Sequence, residues 1–192
     1  MSGRPGGPGN DVPGPLQDDP GDPESVARAI CLRALTGAPK TRQQLADLLA
    51  RRGVPDDAAE RVLDRFGEVG LIDDAAFARA WVSSRQAGRG LARRALKAEL
   101  RAKGVDGEVA EEALALVDED DERAAARRLV QRRLPALRRV DDATATRRLL
   151  GMLARKGYGA GLAGSVVREE LDAAGDRAGA QTDLARVPDD GI

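Results

Sequence analysis

Basic side chains are the residues in this sequence whose type and spacing could do chemistry. Eight bases and a single acid, Glu99, lie between residues 79 and 103, and a second basic run occupies residues 127–139. A row of guanidinium groups can pair bidentately with phosphates or carboxylates. A solvated surface explains any one of these residues equally well, but bases that cluster without acids favour an anionic partner.

The composition excludes histidine-dependent and disulfide chemistry. The 192 residues contain no histidine and one cysteine, Cys31. Ser–His and Cys–His nucleophile pairs and imidazole metal ligands are therefore absent. Cys31 alone can form neither an internal disulfide nor a structural zinc cage, and a lone thiol suits a reducing compartment. We predict a cytoplasmic binding protein that is not an enzyme and uses no metal or other cofactor.

Two further features have structural interpretations. Five acids follow one another at residues 118–122, but they lack the spacing and the glycine of an EF-hand loop. Acids complement the dipole at a helix start, so we predict that this run begins a helix. The sequence has no apolar run near the roughly 20 residues of a membrane helix, and no membrane partner is predicted.

The charge is distributed unevenly along the chain. The net charge is −1, yet residues 1–24 carry −4 and residues 169–192 carry −5, which leaves 28 bases against 20 acids, or +8, in residues 25–168. Residues 1–23 are rich in proline and glycine and cannot bury enough apolar surface to offset backbone entropy. We predict a basic folded body between acidic, disordered tails.

The only clear hydrophobic periodicity is helical, and no segment alternates like a strand, so the predicted fold is all-α. Thr41 is placed to cap one helix, and Gly53 to end it. The residues Ala92, Leu96 and Leu100 form the apolar stripe of another. The nine predicted helices span residues 25–36, 41–52, 55–69, 73–87, 90–103, 106–117, 121–134, 143–156 and 159–172.

These nine helices are three copies of a three-helix unit. At a shift of 51 residues, 12 of the 41 positions in 26–66 are identical, among them Leu45, Leu49 and Gly53. A third copy follows at shifts of 48 and then 53, with the added residues in the connection 135–144. Repeats of this length stack so that each buries its apolar face, which predicts an elongated, curved helical array. The predicted organisation is a disordered tail (1–24), three repeats (25–71, 72–119 and 120–172) and a disordered acidic tail (173–192).

The middle repeat resembles a known family. Residues 70–90 are GLIDDAAFARAWVSSRQAGRG and residues 96–105 are LKAELRAKGV. The Gly-Leu-Ile-Asp-Asp-x-x-Phe-Ala entry, the arginine-and-glycine turn at 85–90 and the Glu-Leu-x-x-Lys-Gly-Val stretch resemble the RecX family of recombination regulators. The resemblance covers about residues 25–171 and is weaker in the third repeat.

The resemblance implies a non-enzymatic modulator of the RecA recombinase. Such a protein binds the RecA–single-stranded DNA filament and limits ATP hydrolysis, strand exchange and the coprotease activity behind the SOS response. The implied partners are that filament and, weakly, single-stranded DNA, and the implied state is a monomer. No catalytic residue carries over, so contact residues are inferred from charge: Arg85, Arg89, Arg93, Arg94, Lys97, Arg101, Arg127, Arg128, Arg132 and Arg133.

A different class of function stays open at this point. A helix-turn-helix-like pair within one repeat could bind duplex DNA directly, as in a transcriptional regulator. Such a protein usually concentrates its bases on one recognition helix, whereas these bases spread over two repeats. A nuclease is a remote third interpretation, because histidine and an acidic metal motif are lacking.

Overall fold

The computed structural model describes residues 21–105 and 107–184 of the chain, and all regular structure in these ranges is helical. The all-α prediction is confirmed. Among the described helices, none combines the length and apolar composition needed to cross a membrane. The α-helices are α1 (Pro23–Gly37), α2 (Arg42–Arg51), α3 (Asp56–Glu68), α4 (Asp74–Arg89), α5 (Arg93–Arg101), α6 (Gly107–Leu114), α7 (Glu119–Arg133), α8 (Asp142–Arg155) and α9 (Ala160–Leu184).

The helices form three successive units, each with its own apolar core. Unit 1 (α1–α3) buries a cluster that includes Leu45, Leu49 and Leu63. Unit 2 (α4–α6) buries a second cluster, around Leu96 and Leu100. Unit 3 (α7–α9) buries a third. Fully burying a leucine stabilises a fold by roughly 1.5–3 kcal/mol, so each core supports its own three helices. The predicted tandem of three-helix repeats is confirmed.

Local sequence decides where most helices begin. The Thr41 hydroxyl accepts the backbone N–H of Gln44 at 3.1 Å, and the Gln44 side chain accepts the N–H of Thr41, which is a capping box. Asp118 and Asp121 form the same arrangement at the start of α7. The predicted cap at Thr41 and the predicted helix start in the acidic run 118–122 are both confirmed.

The structure differs from the predicted spans near the end of the chain. A 3₁₀ turn at Leu134–Leu137 follows α7 directly, within the connection that is longer in the third repeat. Helix α9 continues to Leu184, although an irregular tail was predicted from residue 173. Residues 173–184 include four alanines, which favour helix, and no proline, which would break it. The helix therefore continues although these residues form no clear apolar face. At the other end, α1 begins at Pro23 with Asp22 as its cap, although the predicted tail extends to residue 24. The remaining residues of the two predicted tails, 1–20 and 185–192, lie outside the described residues.

Successive units meet through a glycine that follows the middle helix of the later unit. Gly104 and Gly157 both have positive φ, of 79° and 92°. A β-carbon on Gly104 would overlap the Gln43 side chain of unit 1, and one on Gly157 would lie 2.7 Å from Ala95 Cβ and N in unit 2. The equivalent Gly53 has φ 72°, and no atom of the described residues lies within 4 Å of a β-carbon placed there.

Hydrogen bonds link equivalent positions at the two joints, with a side-chain donor at the first and a backbone donor at the second. The Thr41 hydroxyl donates to the Lys103 carbonyl at 2.6 Å, and the Ala92 N–H, one repeat later, donates to the Lys156 carbonyl at 3.0 Å. Each bond ties the start of one middle helix to the end of the next. The N–H groups of the following residues, Arg42 and Arg93, donate to carboxylates on the first helix of the next unit, Asp74 and Glu122.

The joint glycines allow a direct test of this packing. Gly157→Ala forces a left-handed alanine and a clash with Ala95, so we expect the free energy of unfolding to fall by about 2–3 kcal/mol. Gly53→Ala has the same backbone strain without a clash, so a fall of only about 1 kcal/mol is expected. Urea unfolding followed by circular dichroism measures both, and equal losses would contradict the joint packing.

Candidate functional site

The ten predicted contact residues fall into two sets in the structure. Protein groups engage the side chains of five, which are Arg85, Arg89, Arg93, Lys97 and Arg127. The other five are exposed, and no carboxylate among the described residues forms an ion pair with them: Arg94, Arg101, Arg128, Arg132 and Arg133. An arginine without an internal partner can pair with an external anion at the lower cost, so the second set is the better candidate surface.

Glu99 organises the side chains on the outer face of unit 2. Its carboxylate accepts the indole N–H of Trp81 at 2.9 Å and lies 3.4 Å from Arg85 Nε and 3.8 Å from Arg89 Nη1. The Arg85 guanidinium also lies over the Trp81 ring, 4.0 Å from its centroid. Phe77 stacks on the same ring. These aromatics are half-buried on the unit 2 core, and Arg85 is held as part of this cluster.

Arg93 and Lys97 face neighbouring elements of the fold. Lys97 pairs with Glu111 of α6 and lowers the pKa of that exposed carboxyl. Arg93 is half-buried, and its Nη1 donates to the Val117 carbonyl at 3.4 Å. The exposed bases of α5 without a described ion pair are therefore Arg94 and Arg101, while the predicted apolar stripe of this helix is fully buried.

Arg127 fastens α7 to α9. Its Nη2 lies 2.9 Å from Glu169 Oε2 and its Nε lies 3.1 Å from Glu170 Oε1. Glu170 is buried, and it also accepts the Gln131 amide at 3.0 Å. Removing one partner of a buried charge leaves the other uncompensated. The structure thus gives Arg127 a role in stability, although the sequence grouped it with its exposed neighbour Arg128.

Four cations converge at the joint between units 2 and 3, and we call them the joint cluster: Arg89, Arg128, Arg132 and Lys156. The Lys156 ammonium donates to the Arg89 carbonyl at the end of α4. Burial, then the positive charges of Arg132 and Arg89, lower the pKa of Lys156. The cluster joins residues from both basic runs. Lys156 was not among the ten predicted residues, though a base precedes the glycine at each equivalent position, at Arg52, Lys103 and Lys156.

Tyr158 is buried beneath the joint cluster, at the contact between units 2 and 3. Its hydroxyl donates to the Gly90 carbonyl at 3.0 Å. Burial raises the pKa of Tyr158 to about 12, with Glu122 adding to the rise and Arg128 opposing it. The phenol therefore remains a neutral hydrogen-bond donor at neutral pH.

Comparison with known proteins matches this architecture. Models of the first, second and third three-helix domains of RecX match residues 27–66, 73–114 and 119–167. A regulatory protein RecX from Thermobifida fusca is 58% identical over 167 residues, which cover 87% of this chain and 90% of that protein. The chain belongs to the RecX family. Another family member, the regulatory protein RecX of Streptomyces lividans, is 56% identical over 83% of this chain and 85% of its own.

Two solved RecX structures share the fold. The crystal structure of RecX from Lactobacillus salivarius matches with a TM-score of 0.71 at 20% identity, over 77% of this chain and 96% of that one. A second crystal structure of a regulatory protein RecX matches with a TM-score of 0.66, also at 20% identity, over 73% and 70% of the two chains. The RecX arrangement of helices thus persists where most side chains differ.

Neighbouring arginines on α7 provide a matched test of the two sets. Arg127→Gln leaves the buried Glu170 without its cation, so we expect the free energy of unfolding to fall by about 1–2 kcal/mol, less than for a fully buried pair because Arg127 is partly exposed. Arg128→Gln removes the same charge from an exposed site, so a change within about 0.5 kcal/mol is expected. Urea unfolding measures the loss of stability in both variants, and equal losses would contradict the role of Arg127 in holding α7 to α9.

Proposed function

We propose that this RecX-family protein binds the RecA–single-stranded DNA filament and lowers its ATPase, strand-exchange and coprotease activities, in DNA repair, DNA recombination and control of the SOS response. It acts as a cytoplasmic monomer by binding, without chemistry of its own. Its relatives are named regulatory proteins, in keeping with a role in control. The observation that carries the proposal is the set of exposed arginines on units 2 and 3 for which the described residues provide no ion pair.

The position of these arginines favours a long, repetitive anion over a short duplex site. Arg94 and Arg101 lie on α5, whereas Arg128 and Arg133 lie on α7 of the next unit. A duplex reader of the helix-turn-helix kind places its base contacts on one helix. A nucleoprotein filament instead presents DNA phosphates and protein carboxylates over a distance that successive repeats can follow.

The direct test is DNA-dependent ATP hydrolysis by the cognate RecA on single-stranded DNA, titrated with this protein. We expect the rate to fall at protein amounts well below the amount of RecA. Preformed filaments and filaments assembled in the presence of the protein should be compared, because a difference separates capping of filament ends from binding along the groove. No effect in either order would overturn the proposal, and selection of a duplex sequence would favour the transcriptional alternative.

Three substitutions that each remove one positive charge locate the surface. In the variant Arg94→Gln, Arg101→Gln, Arg133→Gln, we expect the concentration for half-inhibition to rise about fivefold or more, since each exposed charge contact is worth a few tenths of a kcal/mol to about 1 kcal/mol. Circular dichroism should show unchanged helicity, because none of these side chains has a described ion pair.

The control variant is Arg33→Gln, Arg51→Gln, Arg52→Gln in unit 1. These three residues are also exposed, and no ion pair within the described residues involves them. The control removes the same total charge, so we expect at most about a twofold change. Equal weakening by the two triple variants would show that total charge, and not the surface of units 2 and 3, determines inhibition.

A further inference from the structure

We propose that the joint cluster of Arg89, Arg128, Arg132 and Lys156 is a binding site for the phosphodiester backbone of single-stranded nucleic acid, shared between units 2 and 3. The inference deepens the proposed function and rests on it for the source of the strand. It assigns one defined site within the broader basic surface.

The fold itself brings these cations together. Arg89 is the last residue of α4, and Lys156 is the residue after α8, so both lie at helix C-termini, where carbonyl groups attract cations. The Ala92–Lys156 backbone hydrogen bond and the close packing of Gly157 on Ala95 hold the two helix ends against each other. Lys156 reaches the Arg89 carbonyl as a result.

Helix α7 places the two remaining arginines at the same joint. Leu129 packs on Gly90, where a β-carbon would lie 3.1 Å from Leu129 Cδ1. Arg132 lies one turn after Leu129, and Arg128 lies four residues before Arg132, on the same side of the helix. The two arginines are exposed, and so is most of the Arg89 side chain, at 59%. Their guanidinium groups are therefore accessible above a buried floor.

The carboxylates near this joint leave the cluster largely uncompensated. Glu99 lies 3.8 Å from Arg89 but also accepts Trp81 and approaches Arg85. Glu122, whose charge acts on Tyr158, already accepts the Arg93 N–H. Among the described residues, no carboxylate forms an ion pair with Arg128, Arg132 or Lys156. A bound phosphate would offset the mutual repulsion of these charges, and it would contact both units at once.

The test is fluorescence anisotropy of a labelled oligothymidylate of about 20 nucleotides with the full chain, without RecA, over a range of salt concentrations. For Arg132→Gln we expect the Kd to rise about fivefold and the slope of log K against log salt to fall by about 0.7, the value for one phosphate contact on a single strand. Lys156→Gln should behave alike. The control Arg33→Gln removes an exposed charge from unit 1 and should change the Kd by at most about twofold.

Each outcome decides the site. Loss of affinity in Arg132→Gln but not in Arg33→Gln supports it, and because Arg132 is exposed this variant tests binding without disturbing the joint. Equal losses in the two variants, or a wild-type chain that does not bind the strand, would overturn it. RecA inhibition is scored separately. If the wild type inhibits RecA while Arg132→Gln binds DNA as tightly as the wild type does, the site is rejected and the proposed function stands. If the wild type does not inhibit RecA while Arg132→Gln binds DNA more weakly than the wild type, the proposed function is rejected and the site stands.

Discussion

The close approach of a turn glycine to the preceding unit is the contact on which this architecture depends. Gly104 and Gly157 bring the end of one middle helix against the start of another with no room for a β-carbon. Only at that distance can the backbone donate across the joint, as Ala92 does to Lys156. Each unit has its own main apolar cluster, and Ala92 of unit 2 also packs in the cluster of unit 3, so these short contacts orient neighbouring units together with limited apolar packing across the joint.

Much of the fold could be predicted because it is encoded locally and then repeated. Leu45 and Leu49 recur as Leu96 and Leu100, and one helical period places each pair inside its own core. The cap at Thr41 is equally local. The joint could not be predicted, since Gly53 occupies the same place in the repeat but has no described atom within 4 Å of a β-carbon. The extension of α9 was missed because alanine sustains a helix without an apolar stripe to reveal it.

The candidate site was predictable only in outline, because charge partners are distant along the chain. Sequence runs show which segments are basic, but Arg127 meets Glu169 from 42 residues away and Lys97 meets Glu111 from 14. These ion pairs determine which cations stabilise the fold and which can bind an external anion, and no local sequence pattern shows them. Lys156 illustrates the converse: it lies outside both basic runs, 79–103 and 127–139, and the convergence of two helix ends places it beside Arg89.

The placement of the aromatic residues makes the chain spectroscopically asymmetric. Trp81 is the only tryptophan and Tyr158 the only tyrosine. Trp81 lies in unit 2, between Phe77 and the cationic groups of Arg85 and Lys103, with its indole N–H on Glu99. Its emission therefore reports the charge arrangement of the middle unit, including Lys103 at the joint with unit 1. Tyr158 lies at the second joint, and unit 1 contains neither residue, so tryptophan fluorescence can follow the surroundings of unit 2 without a label.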